Sequence, residues 1–313
     1  MDTNRNRVLI ALDGSEQSLE AARYLTRSIP LSRAEFVLFH VMSTLPESYW
    51  DLGDNPQLHS RLLALKRGEI KHEEEIKEFL NRTVELLKEA GVSDDAVKIA
   101  IQPRAVGVAR DIVAESAKGY DAVVTGRTGK SKLAELLIGS VANKLLEKLS
   151  RVSVGIIGGA PATGRILVGI DGSDGATRAV EFTGKMFGGS GRRALLLNVL
   201  RRMDIMTVFD QPVHLAEIDE YTLDFAQDQM KTVFEKARNT LIKAGFEADR
   251  IESKMITDVG SRAGTIVETA VKGDYGTIIV GRRGLSNVQE FFMGRVSNKV
   301  IQLAKNCAVW VVS

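Results

Sequence analysis

The chain has 313 residues, 44% of them hydrophobic and 26% charged, a globular composition long enough for two ordinary domains. Its 42 lysines and arginines against 40 acids leave a net charge of +2, so the charge balance points to neither nucleic acid nor a membrane surface. One cysteine, Cys307, excludes an internal disulfide and fits a reducing compartment, and no run of about 20 apolar residues is present to span a bilayer.

Residues 8–12 (VLIAL) form an apolar, β-branched run that stops at Asp13-Gly14-Ser15, which predicts a strand and then a turn. The run is too short for a secretory signal, so a cytoplasmic protein is expected. Helical spacing covers 16–28, and 34–42 (AEFVLFHVM) predicts a second buried strand. A Pro- and Gly-containing stretch at 43–58 predicts a loop. Residues 59–90 predict a long helix with Ile76, Phe79, Leu80, Thr83 and Leu87 on one face, ended by Gly91. A third strand is expected at 97–102, a helix at 105–118, a fourth strand at 121–124 and a fifth at 152–157. Strict alternation of strands and helices predicts an α/β domain with a five-stranded parallel sheet covered by helices on both faces.

Residues 158–164 (GGAPATG) suit a linker, and after them the pattern restarts. Asp171 follows Asp13 by 158 positions, and Gly245 follows Gly91 by 154. Gly281, Gly284 and Gly294 follow Gly126, Gly129 and Gly139 by 155. Such steady offsets over half a chain predict a tandem duplication, with domains at 1–158 and 165–313.

The stretch Thr125 to Asn143, TGRTGKSKLAELLIGSVAN, carries the chemistry. It reads as a strand end, a glycine loop and the start of a helix. Glycines let backbone N–H groups come close to a ligand, and a helix N-terminus adds unpaired donors and a partial positive charge. Ser140 is expected at or near the N-cap, where its hydroxyl can cap the helix or meet a phosphate. Arg127 and Lys130 add positive charge. The chemistry asks for an anion, and a nucleotide phosphate suits it best.

For a doubly wound sheet the simplest strand order is 3-2-1-4-5, whose switch point lies between strands 1 and 4. Strand 1 ends at Asp13 and strand 4 at Gly126, so both distinctive segments should meet in that crevice. Asp13 there either accepts a hydrogen bond from a ribose or base, or closes an Asx-turn. Val41, at the end of strand 2, either lines an adenine slot or is plain core.

These features resemble the universal stress protein family. The resemblance rests on Asp13-Gly14-Ser15, His40-Val41 and the G-x2-G-x9-G-S spacing of 126–140, with Asp171-Gly172-Ser173 and G-x2-G-x9-G at 281–294 in the second half. It covers both halves nearly end to end. It implies binding of ATP or a related adenine nucleotide, possible Mg²⁺, and pairing through the fifth strands, within one chain or as a homodimer. Carried over, Asp13 and Val41 would hold base and ribose, and Gly126, Gly129, Gly139, Ser140 and Val141 the phosphates. The second half departs from the pattern at Arg295, which stands where Ser140 does (295 − 155 = 140). Asp171, Gly281, Gly284, Gly294, Arg295 and Ser297 therefore form a degenerate site, altered in ligand or empty. Arg295 could fill the phosphate position itself or pair with Glu290.

Three functions compete on this reading. One is a nucleotide-dependent stress sensor or regulator, at most a slow ATPase. Another is an adenylating enzyme of a related fold, and the third a scaffold with closed pockets. None of His40, His59, His72 and His214 lies in a phosphate loop, and His72-Glu73-Glu74-Glu75 lacks the second histidine of a zinc-protease helix. There is no GxGxxG after strand 1 and no Walker lysine. The loops 43–58 and 201–216 leave strand 2 on the ligand edge of each domain and are expected either to gate the pocket or to be passive surface.

Overall fold

The structure, a computed structural model, describes residues 5–43, 56–129, 138–161, 164–201, 215–284 and 293–313, with backbone only at 56–60, 201, 215–226 and 258. The first half runs β1 (Asn6–Ala11), α1 (Glu16–Ser28), β2 (Ala34–Met42), α2 (Pro56–Glu89), β3 (Val97–Pro103), α3 (Val108–Ser116), β4 (Ala122–Gly126), α4 (Ser140–Lys148) and β5 (Ser153–Ile157). The second repeats it as β6 (Arg165–Gly169), α5 (Asp174–Phe187), β7 (Arg193–Arg201), α6 (Leu215–Lys243), β8 (Ile251–Val259), α7 (Arg262–Lys272), β9 (Thr277–Gly281), α8 (Arg295–Leu303) and β10 (Ala308–Val312).

Each half keeps the expected order, 3-2-1-4-5, but the two sheets are not separate. They form one ten-stranded sheet, β3-β2-β1-β4-β5-β10-β9-β6-β7-β8. Antiparallel pairing of β5 with β10 makes the join, and the other neighbouring pairs are parallel. An apolar strand left at a sheet edge invites pairing, and here the fifth strand of each half covers that of the other.

Two cores follow from the strand pleat. Val8 and Ile10 point to the face covered by α1, α2, α5 and α6, while Leu9 and Ala11 point to the face covered by α3, α4, α7 and α8. On α2 the predicted stripe is the buried one, from Ile76 through Phe79, Leu80 and Thr83 to Leu87. The helix starts at Pro56, inside the stretch expected to be loop, because proline suits a first helical turn. The helix predicted from 105 starts instead at Val108. The Asp111 carboxylate accepts from the N–H groups of Ala105, Val106 and Gly107 at 3.0, 3.1 and 3.3 Å and holds them in a loop. The loops expected to gate the pockets lie almost wholly outside the described residues. Among the described residues no helix is long and apolar enough to cross a membrane.

Candidate functional site

The site begins at the turn after β1. Gly14 has φ +78°, a left-handed conformation that favours glycine, and Gly172 repeats it at the same angle. Asp13 closes the turn: its Oδ1 accepts from the Ser15 N–H at 3.0 Å and the Ser15 hydroxyl at 2.5 Å. Ser15 in turn caps α1 by accepting from the Ser18 N–H at 3.2 Å. The Asx-turn is therefore real, and it occupies only one carboxylate oxygen.

The other oxygen lies against the glycine loop. A Cβ on Gly129 would stand 2.5 Å from Asp13 Oδ2, so only a glycine lets the loop after β4 lie against this carboxylate. The two segments expected to meet at the switch point between β1 and β4 do meet there. Gly126 seats the end of β4 against α1, since a Cβ there would be 2.9 Å from the Gln17 carbonyl oxygen.

The loop closes through Gly139, whose N–H donates to the Arg127 carbonyl at 2.8 Å. A Cβ on Gly139 would sit 3.2 Å from that oxygen. Gly139 is itself the N-cap of α4, with φ −60° and ψ 148°, and among the described residues no side chain caps the helix. Ser140 is thus the first helical residue and exposed, one position beyond the N-cap. Its hydroxyl does not cap α4, which leaves the first-turn N–H groups to another acceptor. Val141 is half-buried and packs on the core below the loop. Val41 is buried at the carboxyl end of β2. Lys130 lies outside the described residues.

The second half reproduces this frame. Asp171 Oδ1 accepts from the Ser173 N–H at 3.0 Å, and a Cβ on Gly284 would meet Asp171 Oδ2 at 2.5 Å. Gly281 lies against the Gly175 backbone, 2.5 Å from where its Cβ would be. Gly294 donates to the Arg282 carbonyl at 2.8 Å and caps α8 with φ −61° and ψ 149°. Arg295 then occupies the exposed first helical position. Ser297 is buried and donates to the Gly281 carbonyl at 2.7 Å, so its hydroxyl ties helix to strand. Glu290, its suggested partner for Arg295, is outside the described residues.

Arg127 turns away from the expected phosphate site. It is buried, and its guanidinium donates across the domain seam to the carbonyls of Ile301 and Gln302, at 2.6 and 3.0 Å. Those carbonyls belong to the last turn of α8, where backbone acceptors lack helical partners. Its counterpart Arg282 donates to Leu149 and Glu147 carbonyls at 2.6 and 3.1 Å, at the end of α4. Burial pushes the pKa of both guanidinia down from the usual arginine value. Each glycine loop thereby grips the far end of the opposite domain's helix. A phosphate role for Arg127 does not fit this geometry. The one sequence signal was that arginine recurs at this place in both halves although Ser140 does not.

The remaining candidates are structural. His40 Nδ1 lies 2.7 Å from the Leu12 carbonyl, and since a carbonyl only accepts, the nitrogen donates. Asn198 does the same to the Ile170 carbonyl at 2.8 Å in the second half. Cys307 is buried just ahead of β10, and burial pushes its thiol pKa up, the opposite of an activated nucleophile. Among the described residues no group of three His, Cys, Asp or Glu side chains could hold a metal ion.

Comparison with known proteins agrees with this architecture. The Universal stress protein family matches residues 4–154 and again residues 163–313. "Universal stress protein YxiE" of Bacillus subtilis is 29% identical over 153 residues, 47% of this chain and 97% of its own length. A universal stress protein from Archaeoglobus fulgidus superposes with a TM-score of 0.61 at 19% identity, over 100% of this chain and 99% of its own. A functionally unknown protein from Pseudomonas aeruginosa superposes with a TM-score of 0.60 at 13% identity, over 98% and 92% of the two chains. These two likenesses concern the fold. With the family's sequence pattern present twice, end to end, the chain belongs to the universal stress protein family as a tandem of two of its domains.

Proposed function

We propose that the first half binds an adenine nucleotide, foremost ATP, in the crevice between β1 and β4, and that the protein is a cytoplasmic stress-response regulator whose state follows that nucleotide. The observation that carries the reading is the contact between the Asp13 carboxylate and the Gly129 backbone beside an α4 N-terminus with no side-chain cap. That arrangement supplies a hydrogen-bond acceptor for a ribose or base and the first-turn N–H donors of a helix for phosphates, within one crevice. Val41 and Val141 would supply apolar contact, and Gly126, Gly129, Gly139 and Ser140 would line the phosphates. Mg²⁺, where present, would be carried by the phosphates, since no acidic cluster stands ready for it among the described residues. No described histidine lies in the loop to act on a phosphate, which favours binding over rapid turnover. The second site, with Arg295 at its mouth, would bind the same ligand more weakly or not at all.

The direct test is to denature purified protein and identify by mass spectrometry what is released, then add ATP, ADP, AMP and cAMP to ligand-free protein and follow the unfolding midpoint. Release of an adenine nucleotide, or a rise in midpoint with one of the four, is expected. Ligand-free protein whose midpoint none of them moves would instead leave a scaffold with closed pockets.

A further inference from the structure

At the seam Trp310 stands opposite Gly155, with Val309 opposite Ile156 and Val311 opposite Val154. Trp310 is also the repeat counterpart of Gly155, because 310 − 155 = 155, the same offset as the glycine loops. The pseudo-twofold axis relating the halves therefore passes through this pair. In a symmetric dimer of two like halves the residue on that axis would face its own copy. Here the largest side chain faces the smallest.

The fit is close. The Trp310 indole is fully buried, and a Cβ on Gly155 would lie 3.0 Å from its Cζ3 and 3.1 Å from Cε3 and Cη2. Phe182 and Phe187 pack on it from the second half, with ring centroids 5.3 and 6.1 Å away. Tyr24 packs on it from the first half at 6.5 Å. The indole N–H donates to the Tyr24 hydroxyl at 3.1 Å, and that hydroxyl lies 2.9 Å from Thr277 Oγ1. Both of these partners of the Tyr24 hydroxyl come from the second half. The asymmetry recurs at each of these positions: the counterpart of Tyr24 is Phe182 (182 − 24 = 158), and the counterpart of Thr277 is Ala122 (277 − 122 = 155).

We propose that these three unlike pairs make the β5 and β10 edges selective for each other, so that each half accepts the unlike half and rejects a second copy of itself. Two first halves joined through β5 would set glycine against glycine. That leaves a void where the indole sits and strips the buried Tyr24 hydroxyl of Thr277 and Trp310. Two second halves joined through β10 would drive two indoles onto one axis, an overpacked core. Selectivity is the difference between these costs and the fitted seam. A chain opened at the seam would accept only the unlike half of another chain.

The test uses the full-length chain. Gly155→Trp and Trp310→Gly are each expected to lower the unfolding midpoint by more than about 5 °C, the first by overpacking and the second by a cavity. The exchanged double variant, Gly155→Trp with Trp310→Gly, should unfold above both singles, because it restores one large and one small residue on the axis. A double variant whose loss equals the sum of the two singles would overturn the proposal. If Gly155→Trp does not fold, Gly155→Ala alone and with Trp310→Leu gives the same reading: the second change must relieve the first. Partner choice is read by placing a protease site between residues 158 and 164, cutting the folded chain, and recording native mass spectra. Only species with equal numbers of the two halves are expected. A complex of two amino-terminal halves without a carboxyl-terminal one would also overturn it.

Discussion

The two halves share a frame and differ in what each frame presents. Asp13 and Asp171 close the same turn, a Cβ on Gly129 or Gly284 would meet the facing carboxylate at the same 2.5 Å, and Arg127 and Arg282 reach across the seam to the same part of the opposite helix. These contacts set where backbone lies, and a duplicated domain needs them twice. Two differences fall where a side chain meets something outside its own half: Ser140 against Arg295 at the mouth of the loop, and Gly155 against Trp310 on the seam. Duplication thus kept the scaffold and left the surfaces free to diverge.

Exchanging the loop residues is the strongest way to break the comparison. Ser140→Arg should weaken ATP binding by the first half at least about 10-fold, because a guanidinium with five donors competes for the phosphate position. Arg295→Ser should raise the bound nucleotide from about one per chain towards two. Equilibrium dialysis with labelled ATP measures both. Equal ATP occupancy of both sites in the unaltered chain would remove the distinction between the loops.

A smaller effect sharpens the symmetric part. Arg127→Ala and Arg282→Ala each leave two helix-end carbonyls without their charged donor, at an expected cost of about 2–4 kcal/mol. Chemical denaturation should show similar losses for the two variants, since the contacts are reciprocal. A negligible loss for Arg127→Ala would mean that its donors are not needed at the seam.

The smallest expected effect concerns the counterparts Tyr120 and Tyr275 (275 − 120 = 155). Tyr120 is pushed up to about 12, first by burial and then by its hydrogen bond to Glu115 at 2.9 Å. Tyr275 is raised too, by burial and by Glu252, without such a bond to a neighbouring carboxylate. An unfolded tyrosine releases its proton near 10, while folded Tyr120 holds it to about 12. The folded chain therefore binds more protons in that window, and its stability falls as pH rises through it. Tyr120→Phe should flatten the fall between pH 10 and 12 more than Tyr275→Phe does, as read from denaturation midpoints across that range.

Much of this was legible in the sequence because it is local. The Asp13-Gly14-Ser15 turn, the β2 run and the α2 stripe each follow from neighbours within a few residues, and the repeat offsets revealed the second copy. The contact of Asp13 with Gly129 was legible too, because the order of a parallel sheet fixes which strand ends meet. What stayed hidden depends on partners far along the chain. Arg127 looked like a phosphate ligand because it sits in a glycine loop, yet its acceptors lie 174 and 175 residues away. Of the two roles open to Ser140, capping α4 or meeting a phosphate, the first is not taken, because Gly139 has the extended backbone of the N-cap. Gly155 and Trp310 meant nothing apart until the strand register set them face to face.

The most direct measurement is isothermal titration of ATP into the ligand-free full chain, alongside its Gly139→Val and Gly294→Val variants. Each valine forces a branched side chain against the carbonyl that closes its loop, 3.2 Å from Cβ in both halves. The unaltered chain should bind about one equivalent of ATP, Gly139→Val should lose that binding, and Gly294→Val should keep it. Undiminished ATP affinity in Gly139→Val would contradict a nucleotide site in the first half.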